Sequence, residues 1–262
     1  MAALASAANA GAQTIPPDSM ASTGDSITRA FNTGFLPYTD APRNSWSTGS
    51  RTYVRSHYRR ILAVNMRILG RNYNDARSGA KMRDLPGQMA TVNAQHVDYV
   101  TVLMGANDAC ASSEGAMTPV ADFQARFQQA MATVSAGSRH ALVYVVSIPD
   151  VYRLWQILHG NPSARLAWRI TGFCKSMLAN PGSTAPADEA RRRRVRQRIV
   201  DYNAVLASVC AQYVMCAFDG NAVFDYPFEP RHVSTRDYFH PSLEGQRALA
   251  EVTWDAGPLA GL

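Results

Sequence analysis

Along this chain two hydrophobic rhythms trade places, and the switches between them outline its elements. The strongest run, Val97 to Met104, is almost continuously apolar and β-branched. That pattern predicts a central strand of a parallel sheet, buried on both faces. A second such run spans 141–148 and is stopped by Pro149. Shorter and weaker runs at 18–23, 72–76 and 214–218 predict three more strands. Helices are predicted over 82–93, over 119–136 with Phe123, Phe127, Met131 and Val134, and over 242–252. Ser56 is placed to cap a short helix carrying Tyr58, Ile61 and Leu62. Val195, Ile199, Tyr202, Leu206 and Val209 recur at spacings of three and four, the stripe of a long amphipathic helix. Residues 150–186 are too long for a simple crossover and hold two helical patches, with Trp155, Ile157, Leu158, Leu166 and Trp168. Residues 35–50 mix aromatics with turn residues and are expected to be a loop.

Strand and helix alternate with no internal repeat, which predicts an α/β fold, a three-layer α/β/α sandwich with a parallel sheet. With 262 residues, 47% of them hydrophobic, one domain over 17–262 is expected, following a poorly ordered tail at 1–16. The tail is rich in small residues but lacks a basic start and a strong apolar centre. It is read as the remnant of an export signal, and the protein as secreted.

The net charge of +6 is carried almost wholly by arginine. It concentrates at Arg191 to Arg194, Arg196 and Arg198. An anionic partner and a solvated helix face both fit this cluster, and the apolar stripe behind it favours the second. No nucleic-acid partner is expected, and the chain is read as a monomer. Cys110, Cys174, Cys210 and Cys216 form no C-x-x-C pair and no zinc pattern, so no metal or cofactor is expected. Their even number in an exported chain favours disulfides, with three connectivities open. Cys210 and Cys216 are close in sequence and would join the long helix to the next strand. That leaves Cys110–Cys174 as the second pair.

Candidate chemistry starts at Thr23-Gly24-Asp25-Ser26-Ile27-Thr28, where a strand is broken by Gly-Asp and a helix is expected to begin. A serine at such a turn exposes its hydroxyl beside backbone N–H groups, the geometry that acyl transfer needs. Gly79 follows the second predicted strand, Asn107 the third, and Asp237 and His240 lie near the C-terminus. No G-x-S-x-G pentapeptide occurs, which argues against the ordinary α/β-hydrolase fold.

Ser26, Gly79, Gly105-Ala106-Asn107-Asp108 and Asp237-Tyr238-Phe239-His240-Pro241 together resemble the four blocks of the SGNH, or GDSL-type, hydrolase family. The resemblance spans residues 18–255, and the chain departs from the family name at Ile27, which stands in place of leucine. It implies a strand order 2-1-3-4-5 with a ligand crevice beyond the ends of strands 1 and 3. It also implies a Ser26–His240–Asp237 triad and an oxyanion hole from Ser26, Gly79 and Asn107. His232 is the reserve histidine, and Asp25 and Asp108 are read as turn formers. The expected substrate is an acyl ester or lipid, with transient contact with a lipid surface. Phe35, Trp46, Trp155 and Trp168 are the expected acyl-binding aromatics. Phospholipase and carbohydrate O-acetylesterase activities fit the same site, and a non-catalytic binding module is the reading of another class.

Overall fold

The computed structural model describes residues 15–262, so most of the tail expected at 1–16 lies outside the described residues. Five parallel strands form one sheet in the order β2-β1-β3-β4-β5. They are β1 Met20–Gly24, β2 Asn72–Asn74, β3 Tyr99–Leu103, β4 Leu142–Val145 and β5 Cys216–Phe218. Each predicted strand is present and shorter than its apolar run. The pairing registers end where one neighbour turns away, while the run continues into buried residues such as Val146 and Ile148.

The helices are α1 His57–Val64, α2 Leu85–Gln95, α3 Ala106–Ala109, α4 Val120–Gly137, α5 Val151–Leu158, α6 Pro162–Thr171, α7 Lys175–Leu178, α8 Pro186–Cys210, α9 Ala222–Asp225 and α10 Leu243–Asp255. The Ser56 and Ser242 side chains cap α1 and α10, accepting from Arg59 N–H and Gly245 N–H. On one face of the sheet α2, α4 and α8 pack in sequence, with Phe123 stacked on Tyr202 at 4.1 Å. On the other face His57 of α1 bonds the Tyr99 hydroxyl of β3 at 3.0 Å and Thr253 of α10 at 2.8 Å. Burial pushes the His57 imidazole down to about 3, so it sits in the core as a neutral linker of three elements.

The loop over 35–50 divides in two. Its tip, Phe35 to Thr39, is exposed, while Asn44 to Gly49 is buried. Residues 26–32 form turns instead of the expected helix, because Ala30 and Asn32 adopt left-handed backbone conformations, φ 50° and 64°. Both anticipated disulfides are present, Cys110–Cys174 and Cys210–Cys216.

The arginines of α8 are not simply a solvated face. Arg192 is wholly buried, stacked over Trp155 at 4.0 Å and donating to the carbonyls of Asn180 and Ser183. Arg194 forks onto Glu114 at 2.5 and 2.9 Å, Arg196 reaches Asp150 at 2.7 Å, and Arg198 donates to the Thr118 carbonyl. The cluster stitches α8 to the loops around it.

Candidate active site

Strand order reverses between β1 and β3, and the crevice at their C-terminal ends is where a doubly wound sheet exposes backbone ends to a ligand. Gly24 closes β1 with φ 143°, and a Cβ there would lie 2.3 Å from the Leu103 carbonyl oxygen of β3. Only glycine fits so close to the neighbouring strand. The Gln88 side chain finishes the strand end, accepting from Gly24 N–H at 2.7 Å and donating to its carbonyl at 2.9 Å. This seats the turn that presents Ser26.

His240 Nε2 lies 2.9 Å from Ser26 Oγ, and His240 Nδ1 lies 2.7 Å from Asp237 Oδ2. Asp237 Oδ1 accepts from the Phe239 and His240 N–H groups, so the carboxylate is fixed by its own turn. Burial pushes the Asp237 carboxyl up. The His240 hydrogen bond and charge, with those two backbone donors, outweigh it and hold the group below its ordinary value. The ring of His240 is packed by Phe31 at 4.7 Å, Phe239 at 5.1 Å and Phe173 at 5.6 Å. A charge-fixed, ring-packed imidazole beside a hydroxyl is able to take the proton as that oxygen attacks a carbonyl.

Asn107 borders the same crevice, and its side-chain amide donates to the Ala80 carbonyl at 3.0 Å. That bond ties the end of β3 to the turn holding Gly79. Gly79 has φ 80°, with open space where a side chain would stand. The N–H groups of Ser26 and Gly79 make no hydrogen bond among the described residues. The Asp108 carboxylate accepts from Met82 N–H and the Thr118 hydroxyl, so it ties together segments distant in sequence and does not form the local turn expected of it. Asp25 accepts from Ile27 N–H through Oδ1, while its Oδ2 is buried without a partner among the described residues. Burial raises its pKa to about 7. His232 lines the crevice, but its Nδ1 accepts from Glu229 N–H at 3.0 Å, which leaves the proton on Nε2, and Nε2 lies beside the Arg231 guanidinium. It braces a loop and has no bond to Ser26.

An apolar cleft opens from this centre, lined also by Ser26, Asn107 and His240. Its walls include Val151, Leu154 and Ile157 of α5, with Phe228, Val233 and Phe239 opposite. None of the four aromatics anticipated as acyl contacts is among the lining residues. Trp46 is in the core, bonded to Gln246 and the Thr28 hydroxyl. Trp155 points to the other side of α5, where its indole N–H donates to the Pro181 carbonyl. Trp168 donates to the Tyr238 carbonyl at 2.8 Å, bracing the turn between Asp237 and His240. Phe35 is 96% exposed. Periodicity marks a large aromatic as buried or amphipathic, without telling which wall of a cavity it serves.

Asn32 is a site residue that no local signal reveals. Its amide donates to Asp237 Oδ2 at 2.5 Å across 205 residues of sequence. The left-handed turn that displaces the expected helix is what aims this side chain.

The model of the GDSL-like lipase/acylhydrolase family matches residues 23–248. A search of curated proteins returns no match. Among solved structures, an extracellular lipase from Streptomyces rimosus is 18% identical with a TM-score of 0.53, over 91% of this chain and 99% of that one. Phospholipase A1 from Streptomyces albidoflavus is 17% identical with a TM-score of 0.52, over 91% and 99%. A family 3 carbohydrate esterase from Clostridium thermocellum is 12% identical with a TM-score of 0.53, over 90% and 93%. At these identities the structures share the fold.

Proposed function

The chain belongs to the GDSL-like lipase/acylhydrolase family, and on that premise we propose that it is a serine carboxylester hydrolase. The observation that carries this reading is His240 held between Ser26 Oγ at 2.9 Å and the buried Asp237 carboxylate at 2.7 Å. In the first step Ser26 Oγ attacks the ester carbonyl carbon while His240 Nε2 takes its proton. Asp237 holds the Nδ1–H and stabilises the imidazolium. The oxyanion forms near the Ser26 N–H, the Gly79 N–H and the Asn107 amide. Collapse expels the alcohol with the proton from His240, leaving the acyl group on Ser26. Water, deprotonated by the same imidazole, releases the acid and restores the serine.

The apolar walls from Leu154, Ile157, Phe228 and Val233 support an acyl chain in the cleft in preference to a sugar. A carbohydrate O-acetylester would leave most of that lining unused. Phospholipids remain within the acyl-ester reading, because their esters present the same carbonyl and chain. The two disulfides support secretion to an oxidising compartment. The protein acts as a monomer in this reading, without cofactor or nucleic acid.

Rates on p-nitrophenyl esters from acetyl to long acyl, beside one phospholipid and one acetylated sugar, test the proposal. The expected result is a maximum above acetyl, since each buried methylene contributes about 0.8 kcal/mol. Turnover confined to the acetylated sugar would favour the carbohydrate reading, and no ester hydrolysis at all would end the proposal.

A further inference from the structure

The exposed tip of the loop before Pro42 is an unusual surface. Phe35 is 96% exposed, Leu36 60% and Tyr38 55%, consecutive but for Pro37. Apolar side chains so placed normally fold inward on a flexible loop. Here the backbone beneath them is held by hydrogen bonds. Arg236 donates to the Leu36 carbonyl at 3.0 Å and the Phe35 carbonyl at 3.2 Å, and the Tyr38 hydroxyl returns a bond to the Arg236 carbonyl. Thr39 Oγ1 donates to the Leu36 carbonyl, and Tyr38, in a left-handed conformation at φ 55°, donates its N–H to Asn32 Oδ1.

The loop is joined directly to the reaction centre. Asn32 accepts from Tyr38 N–H through its oxygen and donates to Asp237 Oδ2 through its nitrogen. The turn carrying Asp237 and His240 therefore has an apolar, preorganised tip fixed to one side. On α6, Leu166 and Ile170 are 56% and 75% exposed, and the same helix holds Tyr238 through Trp168.

The charge around this tip is positive. Arg236 has no carboxylate partner among the described residues, its guanidinium bonding backbone carbonyls. Arg169, exposed between Leu166 and Ile170, and Arg43 likewise form no ion pair among the described residues. The nearest acid in sequence, Asp40, is neutralised by Arg29 at 2.9 Å. Aromatic and aliphatic side chains seated on an arginine that no carboxylate pairs suit the boundary between acyl chains and anionic headgroups.

We propose that the Phe35–Tyr38 tip is a lipid-docking surface that seats the protein on an anionic bilayer beside its reaction centre. This rests on the ester-hydrolase reading for its purpose alone. Docking is measured without turnover, so the two fail separately.

The test is co-sedimentation of Ser26→Ala protein with vesicles of phosphatidylcholine, alone and with phosphatidylglycerol. The same assay is run on Ser26→Ala/Phe35→Ser/Leu36→Ser. The expected result is binding favoured by phosphatidylglycerol, weakened on the order of a hundredfold by the two tip changes, about tenfold for each apolar side chain withdrawn. With Ser26 restored, the Phe35→Ser/Leu36→Ser protein should hydrolyse a monomeric soluble ester within about twofold of the unchanged protein. Equal vesicle binding with and without the tip residues would overturn the proposal, as would no binding to either vesicle. A soluble-ester loss as large as the binding loss would place the tip in the cleft and overturn it too. So would a dimer in sedimentation velocity that the tip changes dissociate, since the patch would then cover a second copy. If the double change unfolds the protein, Leu36→Ser alone should still weaken vesicle binding about tenfold.

Discussion

The two sides of the cleft are built under different constraints. On one side, the ends of β1 and β3 and the Asp237–His240 turn present polar groups whose partners are directional. Ser26, Asn107 and His240 each sit where a hydrogen bond of 2.7 to 3.0 Å fixes an atom. On the other side, α5 presents Val151, Leu154 and Ile157, which are constrained by burial and shape. A directional site tolerates almost no exchange of residue type, whereas an apolar wall accepts several. The first side should therefore respond to substitution in rate, and the second in specificity or stability.

The largest break in that comparison is expected at Asn107. An oxyanion donor contributes about 3 to 4 kcal/mol to the barrier, a few hundredfold in rate. Asn107→Ala should lower kcat by that amount and leave KM within a few fold, because the ground-state carbonyl is a weaker acceptor. The lost bond to the Ala80 carbonyl should reduce stability by about 1 kcal/mol. Steady-state kinetics and a melting curve separate the two effects. Stability loss with kcat intact would make Asn107 a turn residue only.

On α5 the effects on rate should be smaller, and they should differ between its two faces. Trp155→Ala should lose about 3 to 5 kcal/mol of stability, since it removes a buried ring stacked by Arg192 and leaves that charge buried. Its chain-length profile should be unchanged. Ile157→Ala should instead weaken medium-chain esters a few fold relative to acetyl esters, as about 0.8 kcal/mol is forfeited per uncovered methylene. Opposite outcomes would exchange the assigned faces of the helix.

What was legible in the sequence follows the same division. The strands, the serine turn and the Asp237–His240 pair were legible, because chemistry and backbone geometry restrict the residue types that serve there, while the strand order followed from the family resemblance. The disulfides could be anticipated from the short Cys210–Cys216 spacing. The acyl wall was not legible, since Trp155 and Ile157 stand two apart on an amphipathic helix and either could face the cavity. Nor was Asn32, whose partner lies 205 residues away. A helix was expected to begin after Ser26, and the chain instead turns through left-handed Ala30 and Asn32, with Asn32 bonded to Asp237.

The subtlest expected effect concerns Asp25, which belongs to the directional side yet has one oxygen unpartnered among the described residues. Burial raises its pKa from the ordinary 3.8 to about 7. Between those values the folded chain keeps a proton that the unfolded chain releases, so this group's stability contribution is full below pH 4 and is lost as pH rises through 7. Asp25→Asn keeps an oxygen for the Ile27 N–H and removes the titration. Its melting temperature should fall less than that of the unchanged protein from pH 4 to 7. Parallel curves would contradict a protonated Asp25 in the fold.

The central claim, that Ser26 is the nucleophile of an ester hydrolase, is tested most directly by covalent trapping. A fluorophosphonate should react once per chain, on the peptide containing Ser26, and hydrolysis should vanish in proportion to labelling. Ser26→Ala should take no label and should lose on the order of a thousandfold or more in turnover while remaining folded. Label on another residue with matching loss of activity, or undiminished turnover in folded Ser26→Ala, would contradict the account.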